Sequence, residues 1–483
     1  MTLTLLALCG GILTGLSFNS EPTSFLIWFS LVPFIQVISK SSLKAGIFRA
    51  FLFGFAYYLV VIFWIAKVTF LGLIALVVYL SLYCVLFFLV GRYFLKKPLR
   101  LISLPCFWVL IEFLKENIWT GFGWANLGYS QYNNLHLIQV ADIGGVKLIS
   151  FLVVMANVFI WEVITTKGPK QKKAIVKKAL FVCLIFLACF SYGAYRLKNL
   201  TEAGSLEVTV AQPNIPQSLK WDPSAASSIV DKLGSLAKET KKESLVIFPE
   251  AAWPYTVAQE DVEDLRSFAE SIDRHILIGS VIKEGDKFYN SALLFQWRAS
   301  AIRLCGSYRK IKLVPFGEYV PLRKLFSFIE VLNTIGDISP GETLSGFSQS
   351  GHNYSVLICF EDVLASYVTQ MVGDSDFLVN ITNDAWFGGN PQSFQHLGVM
   401  TLRAVENRVS IVRSANTGIS GWVSFKGEIE KLTHQGKEVF FPAIKTFRIS
   451  LNRVRGVYTF WGELFPVFCG MFLLAVFIKS SKD

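Results

Sequence analysis

The chain has little of what holds metals or builds disulfide frameworks. Its 483 residues contain five histidines. They are dispersed, so no metal site and no cofactor is expected. Eight cysteines are present, but no C-x-x-C pair and no ligand spacing. Cys9, Cys84, Cys106, Cys183, Cys189 and Cys469 sit in apolar runs and read as packing residues. Charged residues make up 17%, fewer than an ordinary soluble chain carries. Low-complexity linkers, internal repeats and nucleic-acid-binding motifs are all missing, so the net charge of +11 does not point to a phosphate partner. The first apolar stretch lacks a basic leader and is not expected to be a cleavable signal peptide.

What is abundant is apolar surface. Hydrophobic residues make up 53% and aromatics 14%, and the mean hydropathy is +0.47. These values suit a membrane part joined to a water-exposed part. A helix crossing a bilayer core needs about 20 apolar residues. About eight spans are expected, at 3–18, 24–39, 47–66, 69–91, 101–116, 145–166, 179–197 and 458–478. Lys40, Lys44 and Arg49, then Arg92, Lys96, Lys97 and Arg100, then the lysines from Lys167 to Lys178, and finally Lys479 and Lys482 fall on one side of such a bundle. Positive charge collects on the cytoplasmic side. The expected organisation is a helical bundle over 1–200, a periplasmic domain over 205–452 and a last helix with its tail over 456–483. The loop from Asn117 to Asp142 is aromatic and nearly uncharged, with Trp119, Phe122, Trp124, Tyr129 and Tyr132. It reads as an interfacial belt.

From Leu206 the texture changes. Short β-rich runs, among them Leu206–Gln212, Leu245–Phe248, Ser355–Ile358 and Phe377–Ile381, alternate with polar helical stretches at 225–241, 259–272 and 391–409. Alternation of this kind predicts layered α/β structure. Three of these stretches end on reactive groups. The strand Tyr354–Ile358 stops at Cys359, followed at once by Phe360, Glu361 and Asp362. Ser244–Phe248 stops at Pro249, which cannot donate to a sheet ladder, and Glu250 comes next. Tyr308–Pro321 places Lys310 and Glu318 on one loop, with Pro315 and Gly317 between them.

Singly, each of these has an ordinary reading. Cys359 can be a small buried hydrophobe, Glu250 a solvated strand end, Lys310 one of several loop bases, and Glu361 or Asp362 a helix cap. Together they are chemically complementary. A thiol with a pKa of about 8.5 needs a carboxylate to take its proton. An ammonium stabilises both the thiolate and the oxyanion formed when it attacks a carbonyl.

The order Glu250, Lys310, Cys359 with these flanking residues resembles the nitrilase superfamily. Four further pieces resemble, within it, the apolipoprotein N-acyltransferase family: Ala211–Asp222, Leu313–Glu318, Thr382–Gly388 and Thr120–Trp124. The resemblance implies an αββα sandwich inserted into a polytopic membrane bundle, in the bacterial inner membrane. It implies Cys359 as nucleophile, Glu250 as general base and then acid, and Lys310 as oxyanion donor beside the Phe360 N–H. Glu318 would hold Lys310, and Glu361 would support the site. Trp221, Trp386 and Pro321 would shape loops over the acyl chain, with Trp124 helping to hold lipid or lipopeptide. The implied donor is a membrane phospholipid and the implied acceptor a diacylglyceryl-apolipoprotein, handled by a monomer. Many members carry Tyr where this chain has Phe360, which puts any role of that hydroxyl in question. Two other readings compete. A membrane-tethered nitrilase-type amidase would discharge the thioester to water. A transporter with a periplasmic binding domain would place ionisable groups inside spans, where Glu112 and Glu162 are the acidic candidates.

Overall fold

The apolar first 200 residues form helices, as a chain must where no water can take its backbone hydrogen bonds. In the computed structural model, which describes residues 2–241, 244–258, 261–298, 300–321, 323, 336–388 and 391–482, six of the described helices are long and apolar enough to cross a membrane. They are Glu21–Lys40, Leu43–Lys67, Phe70–Leu95, Ala141–Thr165, Gln171–Asn199 and Leu464–Ser481. The helices expected at 3–18 and 101–116 form as well, but fall short of that length or apolarity. Leu3–Leu16 is apolar but has only 14 residues, a length of about 21 Å against a core of about 30 Å. Arg100–Asn117 carries Arg100, Glu112, Lys115 and Glu116 and an interior proline, Pro105.

The described chain divides into two compact units, one of Met1–Leu200, Asn390–Glu406 and Gly456–Asp483, the other of Thr201–Gly389 and Asn407–Arg455. The division departs from a continuous 205–452 domain in one place. The polar helix Gln392–Asn407 groups with the helical bundle as far as Glu406. Its charges are paired inside the bundle. Arg403 and Glu406 are both fully buried and lie 2.8 Å apart. Arg403 also donates to the Tyr129 hydroxyl at 2.9 Å. Glu406 accepts the Val146 N–H at 2.8 Å, beside a left-handed break at Gly145 (φ 67°). Lys147 is likewise buried between Glu116 and Glu463, at 2.5 and 3.0 Å. Glu112 accepts from the Trp108 indole and the Leu127 N–H, and Glu162 binds Lys178 and Arg100.

Among the described residues the second unit holds thirteen strands. They are β1 (Gly204–Gln212), β2 (Leu245–Ile247), β3 (Thr256–Ala258), β4 (His275–Glu284), β5 (Lys287–Arg298), β6 (Ala301–Arg309), β7 (Gly346–Gln349), β8 (His352–Ile358), β9 (Phe377–Thr382), β10 (Ser410–Ala415), β11 (Gly421–Val423), β12 (Ile429–Lys431) and β13 (Ala443–Leu451). One sheet runs β13-β1-β2-β4-β5-β6 with β3 beside β4, and the other β12-β11-β10-β9-β8-β7. The Ser414 hydroxyl on β10 donates to Ala211 O at 2.8 Å and to Ile247 O at 3.0 Å, tying the two sheets together. Helices Ala226–Lys238 and Glu263–Ile272 cover the first sheet by packing Ile229, Leu233, Leu265 and Phe268 against Val246, Ile276 and Ile278. Positions 259 and 260 of the expected 259–272 helix lie outside the described residues. On the second sheet, helix Ala365–Val372 packs against β8. The layers are helix, sheet, sheet, helix.

Candidate active site

Strands hand over to loops at their carboxyl ends, and the reactive groups sit at three such exits: beyond β2 and β8, which have parallel neighbours, and beyond β6, which is antiparallel to β5. Beyond β2, Phe248 still donates to Leu277 O at 2.8 Å, and then Pro249 ends the ladder. The chain turns sharply, with Ala251 left-handed at φ 44°. Gly279 permits that turn, because a Cβ there would lie 2.5 Å from Ala251 N and Pro249 O. The turn aims the Glu250 carboxylate inward. One oxygen accepts from the Asn290 amide at 2.7 Å and the other from the Asn383 N–H at 2.9 Å.

Lys310 follows β6, its backbone N–H on Asn290 O at 2.8 Å. Its buried ammonium lies 2.9 Å from Glu318 and 3.6 Å from Glu250. The other Glu318 oxygen accepts the Val314 N–H at 2.8 Å, closing the Pro315–Gly317 loop, in which Phe316 is left-handed at φ 59°. Burial alone would depress the Lys310 ammonium, but the Glu318 and Glu250 charges outweigh it and hold the group above the ordinary lysine value. Lys310 therefore stays a cation.

Cys359 ends β8 with a left-handed backbone, φ 54°. For a residue other than glycine this conformation costs about 1–3 kcal/mol and persists only where its surroundings over-determine it. The surroundings here do so. Fully buried Glu361 accepts the N–H groups of Ile358, Ile311 and Lys312 at 2.8, 2.8 and 3.0 Å, and the Tyr308 hydroxyl at 2.7 Å. The Asn380 amide donates to Cys359 O at 3.1 Å. Buried Arg413 reaches Asn380 at 2.8 Å, Asp384 at 3.1 Å and Asp362 at 3.4 Å. The turn is thus held from both flanks. Burial pushes Glu361 up to about 7 against those donors. Burial first, and the Glu250 charge second, raise the Cys359 thiol well above its ordinary value, with Lys310 opposing them. The resting group is a thiol, and a thiolate forms only as a base takes the proton.

Glu250, Lys310, Glu318, Cys359 and Glu361 therefore meet in one place. Phe360 is half-buried in the turn after the cysteine, and Pro321 is buried. Trp221 and Trp386 are 45% and 52% exposed, with Leu219 exposed beside Trp221 and Phe316 exposed on the Lys310 loop. Trp124 belongs to the other unit. It is buried there, its indole N–H on Gln395 at 2.7 Å. Sequence reasoning gave no role to Asn290, Asn383, Tyr308, Lys220 or Arg413. Only Arg413 carried a signal, a charge inside the apolar run Ile411–Ala415 of a central strand.

A family model described as the apolipoprotein N-acyltransferase N-terminal domain matches residues 10–159, and one described as carbon-nitrogen hydrolase matches residues 207–453. Curated relatives carrying the name apolipoprotein N-acyltransferase include one from Geobacter metallireducens, 34% identical over 96% of this chain and 92% of its own length. Another, from Pasteurella multocida, is 27% identical over 98% of this chain and 94% of its own. A third, from Haemophilus ducreyi, is 29% identical over 88% and 87%.

Proposed function

The chain belongs to the apolipoprotein N-acyltransferase family, and from that membership we propose how its site acylates lipoproteins. It is a multi-pass enzyme of the bacterial inner membrane. A fatty acyl group passes from a phospholipid to Cys359 and then to the α-amino group of an S-diacylglyceryl-cysteine at a lipoprotein's N-terminus. The observation that carries this reading is the convergence of Glu250, Lys310 and Cys359, with Phe316 exposed on the Lys310 loop and Leu219, Trp221 and Trp386 exposed on two loops that bond Glu250 through Lys220 and Asn383. An amidase for small polar substrates has no use for such a rim.

In the first half-reaction Glu250 takes the thiol proton as sulfur attacks the ester carbonyl. The tetrahedral oxyanion is stabilised by the Lys310 ammonium and the Phe360 N–H, at the start of a helical turn where such groups lack an intrahelical acceptor. The carbon–oxygen bond breaks, Glu250 returns the proton to the glyceryl oxygen, and a lysophospholipid leaves. In the second half-reaction the lipoprotein amine attacks the thioester. Glu250 takes a proton from the amine, the carbon–sulfur bond breaks, and the thiolate recovers the proton. Glu318 keeps Lys310 in place throughout, and Glu361 keeps the cysteine turn in place. Trp221 and Trp386 line the acyl path, Pro321 stiffens the loop beyond Glu318, and Trp124 belongs to the lipid-facing part.

The basic residues on one side of the bundle support a periplasmic catalytic unit, and we take it to act as a monomer. A membrane-impermeant diacylated lipopeptide tests function and side together. Supplied outside right-side-out vesicles it should become N-acylated, and supplied outside inverted vesicles it should not. Release of free fatty acid in place of the amide would favour the amidase, and the opposite sidedness would put the unit in the cytoplasm.

A further inference from the structure

Lys220 is a second buried cation that the mechanism above does not use. It lies on the loop between β1 and helix Ala226–Lys238, between two exposed residues, Leu219 and Trp221, and is itself only 3% exposed. Its ammonium donates to the Glu250 carbonyl oxygen at 2.9 Å. Glu250 is the residue before the left-handed Ala251, so this bond braces the turn that aims the carboxylate. A lysine carries three N–H donors, and a carbonyl uses only one of them.

The charge balance of the site needs this group. Two carboxylates, Glu250 and Glu318, share the single ammonium of Lys310. That leaves one negative charge in a buried place, where an unbalanced charge is costly. Proton transfer within the site does not relieve it, because the charge Glu250 loses reappears on sulfur and then on the oxyanion. Lys310 is already committed to Glu318. We propose that Lys220 is a positioning residue that neutralises this excess, holding the Glu250 turn and easing formation of the Cys359 thiolate as Glu250 takes its proton. The proposal rests on the acyl-transfer reading of the site.

A pH signature follows. Burial depresses the Lys220 ammonium to about 8, with Glu250 and Cys359 pulling it back up. Glu250 after β2 and Cys359 after β8 act on it directly, and Lys310 and Glu318 act through Glu250. The charged form is the useful one, so the contribution is present at lower pH and is lost as pH rises through about 8. Lys310, raised above the ordinary lysine value, keeps its charge over that range.

The test is single-turnover acyl loading of the purified full chain from phospholipid, read by intact mass from about pH 6 to 10, with iodoacetamide alkylation of Cys359 beside it. The wild type should lose loading on the alkaline side. Lys220→Met should load ~10–100-fold more slowly without that limb, and at a given pH its Cys359 should be alkylated about tenfold more slowly. Lys220→Arg should recover much of the rate and carry the limb to higher pH. If Lys220→Met does not fold, the comparison of Lys220→Arg with wild type decides. Wild-type profiles in both variants would overturn the proposal. A wild type that never loads acyl on Cys359 would strike the acyl-transfer reading instead, and the alkylation profiles would still decide the role of Lys220.

Discussion

Both units bury charge, and they do so to opposite ends. In the helical unit each buried charge is closed on a partner fixed by the fold, as Arg403 is on Glu406 and Tyr129, and Lys147 on Glu116 and Glu463. These groups replace water for one another and hold helices in register. In the catalytic unit Arg413 is closed on Asp362 and Asp384 in the same way, but Glu250, Glu318, Lys310 and Lys220 converge on one point. Glu250 and Glu318 share Lys310, and the cysteine beside them sits in a backbone conformation it would not adopt unaided. Paired charge builds a scaffold, whereas converging charge builds a reagent that is ready before substrate arrives. A buried ion pair is weak evidence of stability but a strong liability when halved, so the contrast can be broken by substitution.

The largest effect is expected at Lys310. Removing one oxyanion donor lowers turnover by about 10²–10³. Lys310→Met also strands two buried carboxylates, so the double variant Lys310→Met/Glu318→Gln is the better probe. Its circular dichroism and melting temperature should stay near wild type while acyl transfer falls by that factor. A double variant that melts far earlier, or one that transfers acyl normally, would place Lys310 with the scaffold charges.

The converse is expected in the helical unit. Arg403→Met leaves Glu406 buried without its cation, which costs about 3–5 kcal/mol. The melting temperature should drop by many degrees, while the rate per folded molecule stays within about twofold of wild type. A lost rate with unchanged melting would erase the distinction between the two units.

The same contrast decides how much the sequence disclosed. Every strand expected from a β-rich run appears, because alternating and β-branched patterns encode the sheets locally. Cys359 and Glu250 were legible as groups stranded at strand ends, where an apolar run stops abruptly, and Lys310 and Glu318 as opposite charges on one loop held by Pro315 and Gly317. Their partners were not legible. Asn290 lies inside β5 and looks like any strand amide, and Asn383 contributes a backbone N–H, which no side-chain pattern reveals. Helix Gln392–Asn407 was legible as a helix, but the partners of its charges were not: Glu406 meets Arg403 and the Val146 N–H released at the Gly145 break, and Arg403 meets Tyr129. The span count came out close but not exact, because at Arg100–Asn117 charges satisfied inside the bundle interrupt an otherwise apolar helix.

The central claim is that the converging charges serve a covalent acyl carrier at Cys359. Purified protein supplied with phospholipid and no lipoprotein, followed by intact mass and peptide mapping, tests it most directly. One added fatty acyl group should appear on Cys359, be released by hydroxylamine, leave as an amide when a diacylated lipopeptide is added, and be absent from Cys359→Ala. An acyl group found on another residue, or lipopeptide acylation that proceeds in Cys359→Ala, would contradict it.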